Sequence, residues 1–153
     1  MVRAHACAAG AKHGKQALSR SRGGHSTKIH IACDALSLCN GVRFILTGGE
    51  RNNITQAEQL IENLFPDYVI ADKGYDADRF VQLLKKRKIE MVILSKKNRK
   101  QARQHDADLY EERHLIEACI GKLKHFRRVF ARFDKLAKNY LSFVQFASTL
   151  VWF

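Results

Sequence analysis

Pro66-Asp67-Tyr68-Val69-Ile70-Ala71-Asp72-Lys73-Gly74-Tyr75-Asp76 is the stretch whose reading decides the fold. Pro66 ends whatever helix precedes it. Tyr68 to Ala71 is a short apolar run, the pattern of a buried strand. Asp72 stands at its end, beside Gly74. Asp76 is placed to cap a following helix, about 77 to 87, that carries Phe80, Val81, Leu83 and Leu84. Lys85, Lys86, Arg87 and Lys88 complement the C-terminal end of that helix dipole. Met91 to Leu94 reads as the next strand. Strand, helix and strand in this order predict an α/β layer, with Asp72 at the strand-end mouth where ligands of such folds bind.

The same reading extends outward. Upstream, Lys28 to Cys33 and Val42 to Leu46 read as strands, and Asn40-Gly41 between them is a hairpin signal. Asn53 and Gln56 have capping-box spacing for a helix over 54–65, with Ile54, Ala57, Leu60, Ile61 and Leu64 on one side. Downstream, Ser95 to Arg103 is a polar, strongly basic loop. Asp108 is placed to cap a helix bearing Glu117, with Glu111 at the reciprocal position. A last helix over 135–152 buries Leu136, Tyr140, Phe143, Val144, Ala147 and Leu150. Residues 2–5 are a possible strand stub. Residues 6–26 have no apolar period and read as a basic mobile loop that includes Lys12, His13, Lys15, Arg20 and Arg22. The predicted fold class is α/β, a mixed sheet flanked by helices.

At 153 residues the chain suits one domain. Its 27 basic and 15 acidic residues give a net charge of +12, which points to a polyanion, most simply nucleic acid. Cys7, Cys33, Cys39 and Cys119 have no zinc spacing, and free thiols in a cytoplasm are expected. The seven histidines show no metal motif. No apolar run reaches membrane-spanning length, and no apolar segment of a signal peptide follows the N-terminal cations.

The Glu117 helix carries the densest chemistry. Tyr110, Arg113, Glu117 and Lys124 fall within an arc of roughly 60° on a helical wheel. Ile116, Cys119, Leu123, Phe126 and Phe130 gather elsewhere as a core-facing stripe. A carboxylate among cations suits a metal ion with its phosphates; a solvated face with i,i+4 ion pairs is the plainer alternative. Arg128 falls on the polar side, and Gly121 near it leaves room for close backbone approach.

Tyr-x2-Arg-x3-Glu-x6-Lys resembles the signature around the last catalytic acid of bacterial insertion-sequence transposases of the DDE type. Ala71-Asp72-Lys73-Gly74-Tyr75-Asp76 is similar to the segment around that family's second acid. Gly24 to Asn53, with Lys28-Ile29-His30 and Thr47-Gly48-Gly49-Glu50-Arg51-Asn52, is similar to the strands between. The resemblance implies a single RNase H-like catalytic domain over 1–153 whose first strand is central. It implies Asp72 and Glu117 as catalytic residues and metal ligands, with two Mg2+ (or Mn2+) ions in a complete site.

The resemblance also implies DNA as partner, both element ends and target. Arg113, Lys124, Tyr110 and Arg128 would serve as contacts, with Lys96, Lys97, Arg99 and Lys100 of the basic loop. Self-association, or pairing with a full-length transposase, is expected. The family's first catalytic Asp precedes a Val-Arg-Ala-His stretch. Here only Met1 precedes Val2-Arg3-Ala4-His5, so the first acid and most of the central first strand are expected to be missing. A truncated remnant and an upstream frame joined by frameshifting both fit. Asp34, Asp76 and Asp78 are weaker candidates to replace that acid. The alternatives to a transposase are a non-catalytic DNA-binding remnant and an RNase H-like nuclease.

Overall fold

In the computed structural model, strand β3 (Gly24–Cys33) is the spine of a five-stranded mixed sheet. The structure describes residues 1–153 except 12, 13, 15, 22, 35–39, 97–105 and 153. Strand β4 (Gly41–Gly48) runs antiparallel to β3 from Thr27↔Gly48 to Cys33↔Gly41, with a register irregularity between Ala32 and Cys33. Ser26 of β3 lies opposite Arg3 of β1 (Val2–Ala4) on one side and Ser19 of β2 (Ser19–Ser21) on the other. The far edge of β1 pairs in parallel with β7 (Ala131–Arg132). The predicted stub is therefore a true strand, three residues long and partnered on both edges. The mixed sheet with helices is the fold class expected for an RNase H-like domain.

The chain divides into two compact units, residues 1–51 with 116–153, and 52–115. In the first, helix α6 (Ala137–Trp152) buries Tyr140, Val144 and Ala147 as its apolar spacing predicts. Leu150 departs from the expectation and is exposed, as are Phe146 and Trp152. Cys119, Leu123, Val129, Val2 and Ala8 are also buried in this unit.

Arg132 is fully buried there. Its guanidinium donates to the Gln16 carbonyl at 2.8 Å, the Ala17 carbonyl at 3.3 Å, Thr27 Oγ1 at 2.8 Å, the Asp134 carbonyl at 2.9 Å and the Lys135 carbonyl at 3.1 Å. It also lies 5.4 Å from the centre of the Tyr140 ring. A buried cation is tolerated when its donors are satisfied in this way. The anchorage corrects the loop expected over 6–26. Ala6–Ala8 forms a 3-10 turn, Ser19–Ser21 is strand β2, and the Gln16 side chain accepts from Ala137 N–H at 2.8 Å, capping α6. Lys12, His13, Lys15 and Arg22 lie outside the described residues.

The second unit is built on a parallel pair, β5 (Tyr68–Ala71) and β6 (Glu90–Ile93), joined through α2 (Asp78–Lys86). Ala57, Ile61, Phe80, Leu84, Ile89 and Ile93 form its core. The helix expected over 54–65 is shorter. A 3-10 turn, Asn53–Gln56, runs into α1 (Ala57–Leu60), and Asn63 takes a left-handed φ of 56°. Asn53 does not cap; Asn52 takes that position without a side-chain bond. Arg87 supplies what a longer helix would have, donating to the carbonyls of Ile61 and Leu64.

At the end of α2, Lys88 takes φ 58°. Its N–H bonds the Lys85 carbonyl at 3.0 Å, and Ile89 N–H bonds the Leu84 carbonyl at 3.0 Å. This is a Schellman end with lysine where glycine is favoured. Lys88→Gly is expected to stabilise the unit by about 0.5–1 kcal/mol in urea unfolding, because the left-handed penalty disappears. A destabilised variant would contradict the motif.

Buried His30 of β3 makes a 2.8 Å hydrogen bond to Thr47 Oγ1. The Thr47 hydroxyl donates onward to the Gly48 carbonyl at 3.1 Å, which leaves it to accept from His30 Nε2–H. Burial first, then the Lys28 charge, depresses the imidazole from the usual 6.5 to about 4. The unfolded chain takes up this proton near pH 6.5 and the folded chain only near 4. Stability should therefore be full above about pH 6.5 and fall as pH drops towards 4, by about 1–3 kcal/mol. Urea midpoints against pH test this; a His30→Gln variant that kept the same slope over that window would contradict it.

Candidate active site

Asp72 follows β5 directly and caps a 3-10 turn, Lys73–Tyr75. Its Oδ1 accepts Gly74 N–H at 2.7 Å. A Cβ on residue 74 would come within 2.7 Å of that same oxygen, so the turn needs glycine for close approach. The carboxylate is half-buried and fixed at the strand end. Its charge reaches Tyr75, whose phenol is pushed up to about 12, by burial first and by Asp72 second.

Asp76 departs from its expected place as helix cap. It is almost fully buried and accepts Lys96 N–H at 2.9 Å, while Ala77 stands at the start of α2. Asp76 thus ties the turn after β5 to the chain leaving β6. Lys96 is exposed and held through its backbone; Lys97, Arg99 and Lys100 lie outside the described residues. Of the other candidate acids, Asp34 is exposed just beyond β3 and Asp78 opens the first turn of α2.

The helix expected around Glu117 is two helices, α3 (Ala107–Glu111) and α4 (His114–Lys124). Asp106, not Asp108, caps α3, its Oδ1 accepting from Asp108 and Leu109 N–H at 2.9 and 3.0 Å. The wheel breaks where bonds shorten to i→i+3: Glu112 N–H to Leu109 O, Arg113 N–H to Tyr110 O, and Leu115 N–H to Glu112 O. Tyr110 sits before the break and Arg113 within it, with the guanidinium 5.7 Å from the ring centre. Glu117 and Lys124 sit after it, two turns apart and both exposed on α4, while Cys119 and Leu123 are buried. The four residues therefore do not share one helical arc.

The core-facing stripe also ends early. Phe126 caps a separate helix, α5 (Arg127–Phe130), and Phe130 is 60% exposed. Arg128 does not extend the α4 face. It pairs with Asp134 at 3.1 Å and lies 4.4 Å over the Phe143 ring. Around Gly121 a Cβ would meet nothing within 4 Å, so no described backbone approaches it. Lys124 and Lys28 both act on the amine of Met1, at the head of β1. That amine is lowered by burial first, then by Lys124 and Lys28. Lys28, on β3, thus acts on the same amine as Lys124 of α4, a shared neighbour that reading by pattern missed because the two belong to different elements.

Among the described residues, no three of His, Cys, Asp or Glu stand close enough to hold a metal ion. Asp72 and Glu117 offer hard carboxylate oxygens, the right kind of donor for magnesium.

The family model for the transposase DDE domain matches residues 4–150. The chain belongs to this family. The DDE domain is 33% identical over 129 residues to a protein of Brucella ovis provisionally named transposase for insertion sequence element IS6501, covering 83% of this chain and 98% of that one. It is 32% identical over 154 residues to a Burkholderia cepacia protein provisionally named transposase for insertion sequence element IS402, covering 92% of this chain and 68% of that one. No solved structure matches. The resemblance read from Tyr110, Arg113, Glu117 and Lys124 thus named the right family.

Two glycines of this transposase domain should behave oppositely. Gly74→Ala drives a methyl into the Asp72 carboxylate and is expected to cost about 1–2 kcal/mol in urea unfolding. Gly121→Ala meets open space inside a helix and should add about 0.5–1 kcal/mol. Equal effects at the two positions would contradict the geometry.

Proposed function

We propose that this insertion-sequence transposase domain takes part in DNA cleavage and strand transfer at element ends, with Asp72 and Glu117 as its catalytic carboxylates. The observation that carries the reading is the Asp72 side chain, fixed at the carboxyl end of β5 by Gly74. Divalent ions, magnesium or manganese, are the cofactor in this reading, and Asp72 and Glu117 would contribute ligands to them. When bound, such ions supply a Lewis acid for the phosphate and an activated water at neutral pH.

The chain's own groups bind and orient. Lys124, two turns beyond Glu117, offers a point charge for a DNA phosphate, and Arg113 a fork for a second. Tyr110 holds the Arg113 guanidinium through its ring face. Lys96, placed by Asp76, brings a cation to the end of β6. The net charge of +12 draws the backbone in without reading sequence. The alternative reading is a non-catalytic DNA-binding remnant.

Purified chain with element-end DNA and manganese tests the reading. Weak nicking is expected, lost at least about tenfold in both Asp72→Ala and Glu117→Gln while DNA binding persists. Nicking unchanged by both substitutions overturns the catalytic assignment. DNA binding with no nicking under any condition leaves the remnant reading. Binding should weaken roughly 100-fold between 50 and 200 mM salt if about four phosphates are neutralised; a flat salt response would remove the phosphate-contact reading.

A further inference from the structure

Two thiols that the catalytic reading does not use lie side by side in the first unit. Cys33 Sγ and Cys119 Sγ are 3.6 Å apart although 86 residues separate them in sequence. Cys33 ends β3, just past the register irregularity with β4. Cys119 is buried on α4, two residues beyond Glu117. Both are thiols, as is the exposed Cys7, which lies elsewhere beside His5.

We propose that Cys33 and Cys119 are a reversible dithiol–disulfide pair that staples α4 to the end of β3, with a low-molecular-weight disulfide as the oxidant. The half-buried Cys33 thiolate attacks one sulfur of the small disulfide and expels the other half as a thiol. The Cys119 thiolate then attacks Cys33 Sγ and expels the second half. Two protein thiols lose two protons and two electrons, and one small disulfide becomes two thiols. The sulfurs must close from 3.6 Å to about 2.05 Å. Cys33 stands where the β3–β4 ladder is already irregular, so the strand end supplies that movement with little loss of ladder pairing. The long sequence separation makes the cross-link strongly constraining on the unfolded chain.

The staple would hold the helix that carries Glu117. Only that consequence rests on the proposed function; formation of the bond does not. Oxidation of the full chain with oxidised glutathione, alkylation of remaining thiols and peptide mass mapping test it. The expected result is an intramolecular Cys33–Cys119 peptide two hydrogen masses lighter. The melting temperature should rise by roughly 5–15 °C, reverse with dithiothreitol and be absent in Cys33→Ser. Linked peptides dominated by Cys7, Cys39 or intermolecular dimers would overturn it, as would a Cys33–Cys119 bond that leaves the melting temperature unchanged or lower. The mapping on the unsubstituted chain stands even if Cys33→Ser folds poorly.

Discussion

A guanidinium with no access to solvent organises the five-stranded unit. Arg132 carries its charge into the interior and, among the described residues, gives its N–H groups to carbonyls and one hydroxyl. Those acceptors come from residues 16–17, from β3 and from the turn before α6, so one side chain joins segments far apart in sequence. Removing it would leave several buried carbonyls without donors, each costing about 1–3 kcal/mol. The short central strand β1 depends on the same knot. Three residues cannot hold themselves in a sheet, and β1 persists because β3 and β7 are held on either side.

In the other unit, two aspartates four residues apart divide the labour. Asp76 is buried and satisfied by the backbone of Lys96; Asp72 is half-buried and keeps its carboxylate at the strand end. Sequence alone sees two similar acids in Asp-Lys-Gly-Tyr-Asp. Only the path of the chain leaving β6 distinguishes the structural acid from the candidate catalytic one.

The legible part of the fold was the part with strong local period. β3, β4, β5, α2, β6 and α6 follow their apolar spacing; α2 buries Phe80, Val81 and Leu84 as expected, and α6 buries Tyr140, Val144 and Ala147 but leaves Leu150 exposed. β2 and β7 are three and two residues long, too short for alternation to register. Caps were the least legible feature. Asn53, Asp76 and Asp108 all sit one or two residues from where the caps fall, because a capping side chain chooses among neighbours by tertiary contacts. The break at 112–113 hid because Glu112, Arg113 and His114 carry no Gly or Pro to mark it. It takes in Arg113 and parts Tyr110 from Glu117 and Lys124, so the single helix face offered by the sequence is divided in the structure. Arg128 fell to Asp134 and Phe143, partners that no helical wheel shows.

The central claim is that Asp72 and Glu117 serve the same divalent ions. Anomalous diffraction from a manganese-loaded complex of this chain with element-end DNA tests it most directly. The expected result is manganese density with oxygens of both Asp72 and Glu117 at roughly 2.1–2.3 Å, the range for hard divalent ions. Carboxylates more than ~10 Å apart in that complex, too far to share a dinuclear centre, or manganese held by neither, would contradict it.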